Sequence, residues 1–225
     1  MYTNSTKQTE TMSGSYISSL KNKHKGQECV LFGSGPSLRS FDINFAKDKT
    51  LLGSNEIVYY DLVMDYYMIG DGGTKSRGYY SDPDTYNTYK PNVTKLCRKP
   101  PANRRSSYQP LPANIDTFTY FETDREAWDS DSPFNVDQIN DVGTISLELA
   151  QFCLILGFKT IFLVGQDCNY DDGSFKSSVT PDIVRWSNRM IPMWIKFKEF
   201  TSNYHPDVNI ISINPVGLAD IFDKY

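Results

Sequence analysis

The sequence predicts an α/β fold: a Rossmann-like, mostly parallel sheet with helices on both faces, carrying one long irregular insertion. Three observations lead there. Cys29-Val30-Leu31-Phe32 and Lys159-Thr160-Ile161-Phe162-Leu163-Val164 are apolar runs bounded by turn residues, the pattern of strands buried on both faces. Thr144 to Leu156 is apolar round most of a helical cylinder, as a buried helix would be. From residue 142 onward, helix-like and strand-like segments alternate through tight connections.

Taken in order, residues 1–12 are polar and aperiodic and read as a flexible tail. Tyr16 to His24 predicts a short basic helix closed by Gly26. Cys29–Phe32 is the first strand, Thr50–Gly53 the second and Tyr66–Ile69 the third, with one or two helical turns between Asp42 and Lys47. From about 72 to 116 the pattern fails in a stretch rich in Gly, Pro, Ser, Asn and Tyr, which reads as a lid, a binding loop or a disordered insertion. Within it Lys95, Arg98, Lys99, Arg104 and Arg105 form a basic cluster, read as a solvated loop or an acidic-ligand contact. Thr117–Phe121 alternates like a strand. After the buried helix and the Lys159–Val164 strand comes a helix over Asp182–Tyr204, which Pro192 should kink or divide. A strand at Val208–Ile213 and a short helix at Leu218–Phe222 finish the chain.

Composition narrows the function classes. The 225 residues, 39% hydrophobic and 14% aromatic, suffice for one core and are short for two, so residues 13–225 are read as a single domain. A formal net charge of −4 and a pI near 5.2 give no global attraction to polyanions, and no nucleic-acid partner is expected. The four cysteines form no Cys-x-x-Cys pair, which fits free thiols in a reducing compartment. With no secretory pattern at the N-terminus and no apolar run of about 18 residues, a cytoplasmic protein without a transmembrane segment is expected. Two histidines, His24 and His205, are too few for a zinc site without cysteines at metal spacing.

Three groups fall where strands end, at the carboxyl edge that binds ligands in open α/β sheets. Gly33-Ser34-Gly35-Pro36-Ser37 follows the first strand; its glycines let backbone approach a ligand, and Pro36 suits the first position of a helix whose free N–H groups would face an anion. Leu38 stands where the dinucleotide fingerprint has its third glycine, and no Lys-Ser/Thr pair makes a P-loop. Gly53-Ser54-Asn55-Glu56 follows the second strand and offers Asn55 to a base or ribose and Glu56 to a ribose hydroxyl. Gly165-Gln166-Asp167-Cys168-Asn169-Tyr170 follows the late strand, and Asp71 ends the third; their carboxylates could orient a hydroxyl, hold magnesium or act as a base. Each group also has a local reading, as a tight turn, a polar turn or a helix cap.

Together, "CVLFGSGPSL", "LLGSNEIVYYDLVMDYYMIGD", "VGTISLELAQFCLILGFKTIFLVGQDCNY" and "INPVGLADIF" resemble the bacterial sialyltransferase-like glycosyltransferases that use CMP-activated sugars. The wider family includes Maf-type proteins and hydroxymethylpterin pyrophosphokinase MptE-like enzymes. The resemblance covers most of residues 28–70 and 142–222. It implies that Gly33, Ser34, Gly35, Pro36 and Ser37 face the nucleotide's phosphate and ribose, that Asn55 contacts the nucleotide, and that Thr144 and Ser146 lie near the donor sugar or phosphate. It also aligns Asp167 with a Gly-x-Asp carboxylate and Tyr170 with a tyrosine that stabilises the leaving phosphate. Two features depart from the pattern. Phe175 stands where a second phosphate-binding tyrosine is expected, and no histidine falls between the late strand and the last strand, so the base passes to Asp167, Asp171 or Asp182.

The implied activity is glycosyl transfer from a nucleotide-activated donor, a CMP-linked acidic sugar, to a glycan or protein acceptor of polysaccharide-biosynthesis type, with no obligatory cofactor. A magnesium-dependent diphosphokinase using Asp71 and Asp167 and a non-catalytic nucleotide-binding protein are the alternatives. Gln166 belongs to the same candidate site.

Overall fold

The computed structural model describes residues 15–69, 93–98, 119–121, 133–168 and 181–225. Their strands are β1 (Ser15–Tyr16), β2 (Glu28–Phe32), β3 (Thr50–Ser54), β4 (Tyr66–Ile69), β5 (Thr94–Arg98), β6 (Thr119–Phe121), β7 (Thr160–Val164), β8 (Asn209–Ile213) and β9 (Asp223–Lys224). Their α-helices are α1 (Ile145–Leu156) and α2 (Pro181–Tyr204). The strands form one sheet in the order β1-β6-β5-β4-β3-β2-β7-β8-β9, and every neighbouring pair is parallel. The chain runs outward from β2 through β3 and β4 on one side, then returns to lay β7 on the other side of β2. That reversal is the topological switch point of a doubly wound sheet, and it places a crevice beyond the carboxyl ends of β2 and β7.

The apolar runs split by alternation. Cys29, Leu31, Ile161 and Leu163 face a core shared with the buried helix α1 and with Trp194 and Phe197 of α2. Val30, Phe32, Phe162 and Val164 face the other way, into a second core roofed by Leu38, Phe41, Ala46 and Ile57. Both faces are therefore covered by helical segments, but the second roof is made of short 3-10 turns at Pro36–Ser40, Ile43–Ala46 and Asn55–Tyr59. Helix α1 ends at Gly157, whose left-handed φ of +83° lets its N–H reach back to the carbonyls of Cys153 and Leu154, as a helix-terminating glycine does.

Three expectations are corrected, and a fourth is narrowed. The basic helix expected at Tyr16–His24 is the short strand β1 followed by a 3-10 turn over Ile17–Leu20, because β1 finds a partner in β6 that local sequence does not announce. The insertion expected to be irregular contains β5, inserted between β4 and β6. Its lysine and arginine masked the strand pattern, yet Leu96 is fully buried and Lys95 is buried in the sheet rather than solvated. Of the two outcomes expected at Pro192, a kink or a division, division does not occur: α2 runs on through it, and the proline ring lies on the exposed side of the helix, clear of the core. The helix expected at Leu218–Phe222 is a series of turns leading into β9. The tail at 1–12 lies outside the described residues.

Among the described residues no helix is long and apolar enough to cross a membrane.

Both histidines sit at the amino edge of the sheet, since His24 precedes β2 and His205 precedes β8. His24 stacks on Phe158 with ring centroids 4.9 Å apart, and its Nε2 lies 2.7 Å from the hydroxyl of Tyr66, the first residue of β4. His205 packs against Phe200, and its Nε2 is buried without a hydrogen-bond partner among the described residues. Burial pushes its imidazole below the ordinary value of 6.5. The neutral ring is thus favoured in the fold, and this contribution is lost as pH falls from 6.5 through the depressed folded value, because the unfolded chain takes up the proton first. His205→Phe is expected to flatten the acid side of the stability curve by a fraction of a kcal/mol, the ring being only half-buried. Urea denaturation at a series of pH values measures it; an unchanged slope between wild type and variant rejects it.

Candidate functional site

The site is built where β2 and β7 end. Their ladder continues past the strands: the Gly33 N–H donates to the Val164 carbonyl (2.7 Å) and the Gly35 N–H to the Gly165 carbonyl (2.8 Å). One turn further, the Ser37 N–H donates to Asp167 Oδ2 at 2.9 Å, and the Ser37 hydroxyl donates to Asp167 Oδ1. Asp167 is 5% exposed, so its charge is held by these charge-assisted bonds rather than by solvent.

This crossing explains the glycines. A Cβ on Gly33 would lie 2.7 Å from Gln166 Cδ, and one on Gly35 would run into the Asp167 carboxylate and come within 2.7 Å of the Gly165 carbonyl. Gly165 has a left-handed φ of +65°, and a Cβ there would meet Leu38 Cγ at 2.6 Å. The Gly-x-Gly pattern thus serves loop-on-loop packing as well as any ligand. Leu38, which breaks the dinucleotide fingerprint, fills the space over Gly165.

Beside the crossed loops lies a small polar recess of about 20 Å³, bounded by Ser34 and Gly35, by Thr144 and Ser146 at the start of α1, by Gln166, and by Met190 and Trp194 of α2. That volume suits one ligand group, not a whole nucleotide. Thr144 makes no side-chain cap and its carbonyl accepts from the N–H groups of Leu147 and Glu148, so it is the N–H groups of Ile145 and Ser146, at the very start of the helix, that find no backbone partner among the described residues. Gln166 is 8% exposed, and its Nε2 has no hydrogen-bond partner among the described residues. A buried amide donor without a partner is costly. A ligand acceptor would satisfy it.

Of the residues singled out from the sequence, Ser34, Gly35, Thr144, Ser146, Gln166 and Asp167 converge on the recess. Gly33, Pro36 and Ser37 do not line it; Gly33 packs against Gln166 and Ser37 holds Asp167. The Ser37 N–H, expected to face an anionic ligand, is taken by Asp167. Asn55 opens a 3-10 turn after β3, outside the recess wall. Tyr170, Asp171 and Asp71 lie outside the described residues, and so does the side chain of Asp182, whose backbone is in the first turn of α2. Neither histidine can serve here, because both are at the opposite edge of the sheet. Among the described residues no cluster of three His, Cys, Asp or Glu side chains could hold a metal ion.

Three contributors escaped sequence reasoning. Trp194 and Met190 were legible as helix stripe but not as recess wall. Gly217 donates its N–H to the Asp167 carbonyl (2.7 Å), and a Cβ on it would collide with that oxygen, so the turn after β8 braces the turn after β7. Cys168 adopts a left-handed φ of +50°, an uncommon conformation for such a residue. Burial, followed by the neighbouring Asp167 charge, pushes its thiol up to about 12, against a smaller opposing contribution from Trp194. The thiol is therefore neutral at physiological pH and unreactive. Iodoacetamide is expected to leave Cys29, Cys153 and Cys168, all buried, unmodified in the folded protein and to alkylate them in denaturant; fast labelling of any of the three in the native state, read by mass spectrometry, contradicts this.

No family model matches the sequence, and no curated protein matches it. Solved structures do. The sialyltransferase CstII from Campylobacter jejuni in complex with CMP-3FNeuAc is similar with a TM-score of 0.53 at 13% identity, covering 88% of this chain and 86% of that one. The sialyltransferase CST-II in complex with a trisaccharide acceptor and CMP is similar with a TM-score of 0.50 at 13% identity, over 83% and 80% of the two chains. The monofunctional alpha-2,3-sialyltransferase Cst-I from Campylobacter jejuni is similar with a TM-score of 0.50 at 15% identity, over 83% and 75%. At these identities the likeness is one of fold, and it spans most of each chain.

Proposed function

We propose that this protein is a glycosyltransferase that binds a CMP-activated acidic sugar in the crevice beyond β2 and β7 and transfers the sugar to a glycan or protein acceptor. The observation that carries the reading is the unspent donor set around the recess: the buried Nε2 of Gln166, the uncapped start of α1 and the adjoining Thr144 and Ser146. Such a set suits the phosphate or carboxylate of the donor. The fold shared with enzymes whose structures hold CMP supports it.

On this reading the ligand divides between the two sides of the site. Asp167 already occupies the N–H of Ser37, and its negative charge repels a second anion placed on the Pro36–Ser40 turn. The neutral ribose and base therefore take the Ser34–Gly35 backbone and Asn55, and the phosphate takes the α1 side.

In the transfer, an acceptor oxygen attacks the anomeric carbon. The bond from that carbon to the phosphate oxygen breaks, and CMP departs with the electron pair. Donors aimed at the phosphate strengthen as its charge grows, which lowers the barrier. On the resemblance, Tyr170 adds a hydroxyl to that phosphate; with no histidine where the resemblance expects one, the acceptor's proton passes to a carboxylate, Asp171 or Asp182. Asp167 holds the two loops in register.

Calorimetry of the full chain with CMP, with ATP and magnesium, and with NAD tests the reading, followed by CMP release from a CMP-sugar with and without EDTA. CMP alone is expected to bind, and transfer should survive chelation. Binding of ATP with magnesium but not CMP would establish the diphosphokinase instead. CMP binding without turnover would leave a nucleotide-binding protein, and absence of all binding at millimolar concentration would remove the site.

A further inference from the structure

We infer that Tyr67 is a positioning residue for Asn55, and through it for the nucleotide end of the donor. The inference rests on the proposed nucleotide-sugar site. Tyr67 is 1% exposed, its ring fixed in the second core with Val58 and Met64. Its hydroxyl emerges from that core to donate to the Asn55 carbonyl at 2.7 Å.

Asn55 needs the anchor. It opens the Asn55–Tyr59 turn with a left-handed φ of +50°, which asparagine tolerates better than most residues but does not prefer. The turn then doubles back so tightly that a Cβ on Gly53 would lie 2.6 Å from Ile57 Cγ2. The Tyr67 bond and the Ile57 contact together hold Asn55 at the point of reversal.

Ladder register places that point beside the site. Phe32 of β2 pairs with Gly53 of β3, so Gly33 lies level with Ser54, the last residue of β3, and Asn55 follows one residue beyond. Adjacent strands are about 4.8 Å apart, which puts Asn55 within side-chain reach of a ligand lying on the Ser34–Gly35 backbone. Loss of one such bond near a binding residue is expected to weaken binding about five-fold.

Two single variants and their double test this in the full chain, read by CMP calorimetry and thermal melting. Tyr67→Phe deletes the hydroxyl and leaves the buried ring. Asn55→Gly deletes the side chain and keeps the backbone conformation available. Each single variant should raise the Kd for CMP about five-fold, Tyr67→Phe should barely move Tm, and the double variant should bind no worse than Asn55→Gly alone. A Tyr67→Phe protein that binds CMP like the wild type overturns the inference. So does an Asn55→Gly protein that does, or a double variant whose losses simply multiply, since a merely structural tyrosine would act independently of the Asn55 side chain. Wild-type protein that binds no CMP overturns the donor reading itself, and the inference falls with it.

Discussion

Gly35→Ala is expected to weaken nucleotide binding by about 100-fold and to lower the stability of the fold. The new Cβ would fall on the Asp167 carboxylate and within 2.7 Å of the Gly165 carbonyl. Neither neighbour is the free end of a flexible side chain: the carbonyl is backbone, and the carboxylate is held by two bonds from Ser37. The loops must separate, which costs about 1–3 kcal/mol as overpacking does. It also shifts Ser34 away from Gln166 across the recess. Misplacement of that size near a binding centre lowers affinity by about 100-fold. Urea denaturation and CMP calorimetry on the same preparation read both effects. Gly26→Ala is the control: Gly26 has a left-handed φ of +79° but nothing within 4 Å of the added atom, so it should cost about 1 kcal/mol of backbone strain and leave binding unchanged. Equal behaviour of the two variants would show that the crossing of the loops is not what the second glycine is for.

Asp167→Ala has the next largest expected effect. It removes both acceptors of Ser37 and leaves its N–H and hydroxyl without them, a loss of about 2–3 kcal/mol for bonds to a charged group. Asp167→Asn keeps one acceptor oxygen in place and should lose about half as much. Ser37→Ala keeps the backbone bond to Oδ2 and should fall near the asparagine variant. This ordering distinguishes a clasp from a base. A base would lose turnover equally in the alanine and asparagine variants, with stability preserved. A clasp loses stability in proportion to the bonds removed, and turnover follows it. Measuring both quantities across the three variants decides the matter, and full stability with no turnover in Asp167→Asn would return the carboxylate to a catalytic role.

Much of this site was legible as loops and little of it as contacts. Gly33-Ser34-Gly35 and Gly165-Gln166-Asp167 could be placed at the ends of buried strands because an apolar run followed by glycine is a local signal. Their crossing could not be read, since nothing in either segment states that β2 and β7, more than a hundred residues apart in the chain, are neighbours. Strand β5 was missed for a related reason. Lys95 is buried between β4 and β6, a placement that tertiary pairing imposes against the ordinary preference of lysine for solvent.

The sequence by itself determined the doubly buried strands β2 and β7, the buried helix α1 with its terminating glycine, the α/β class, and the small number of histidines. These follow from composition and periodicity over a few turns, where chemistry and structure are local. The tertiary structure decided the rest. It placed both histidines at the edge opposite the crevice, gave the Ser37 N–H to Asp167 rather than to a ligand, and left the Gln166 amide without a partner among the described residues. Each of these depends on which distant segments meet. That is settled by packing the whole sheet and its two cores, where long-range strand order rather than local preference fixes every contact.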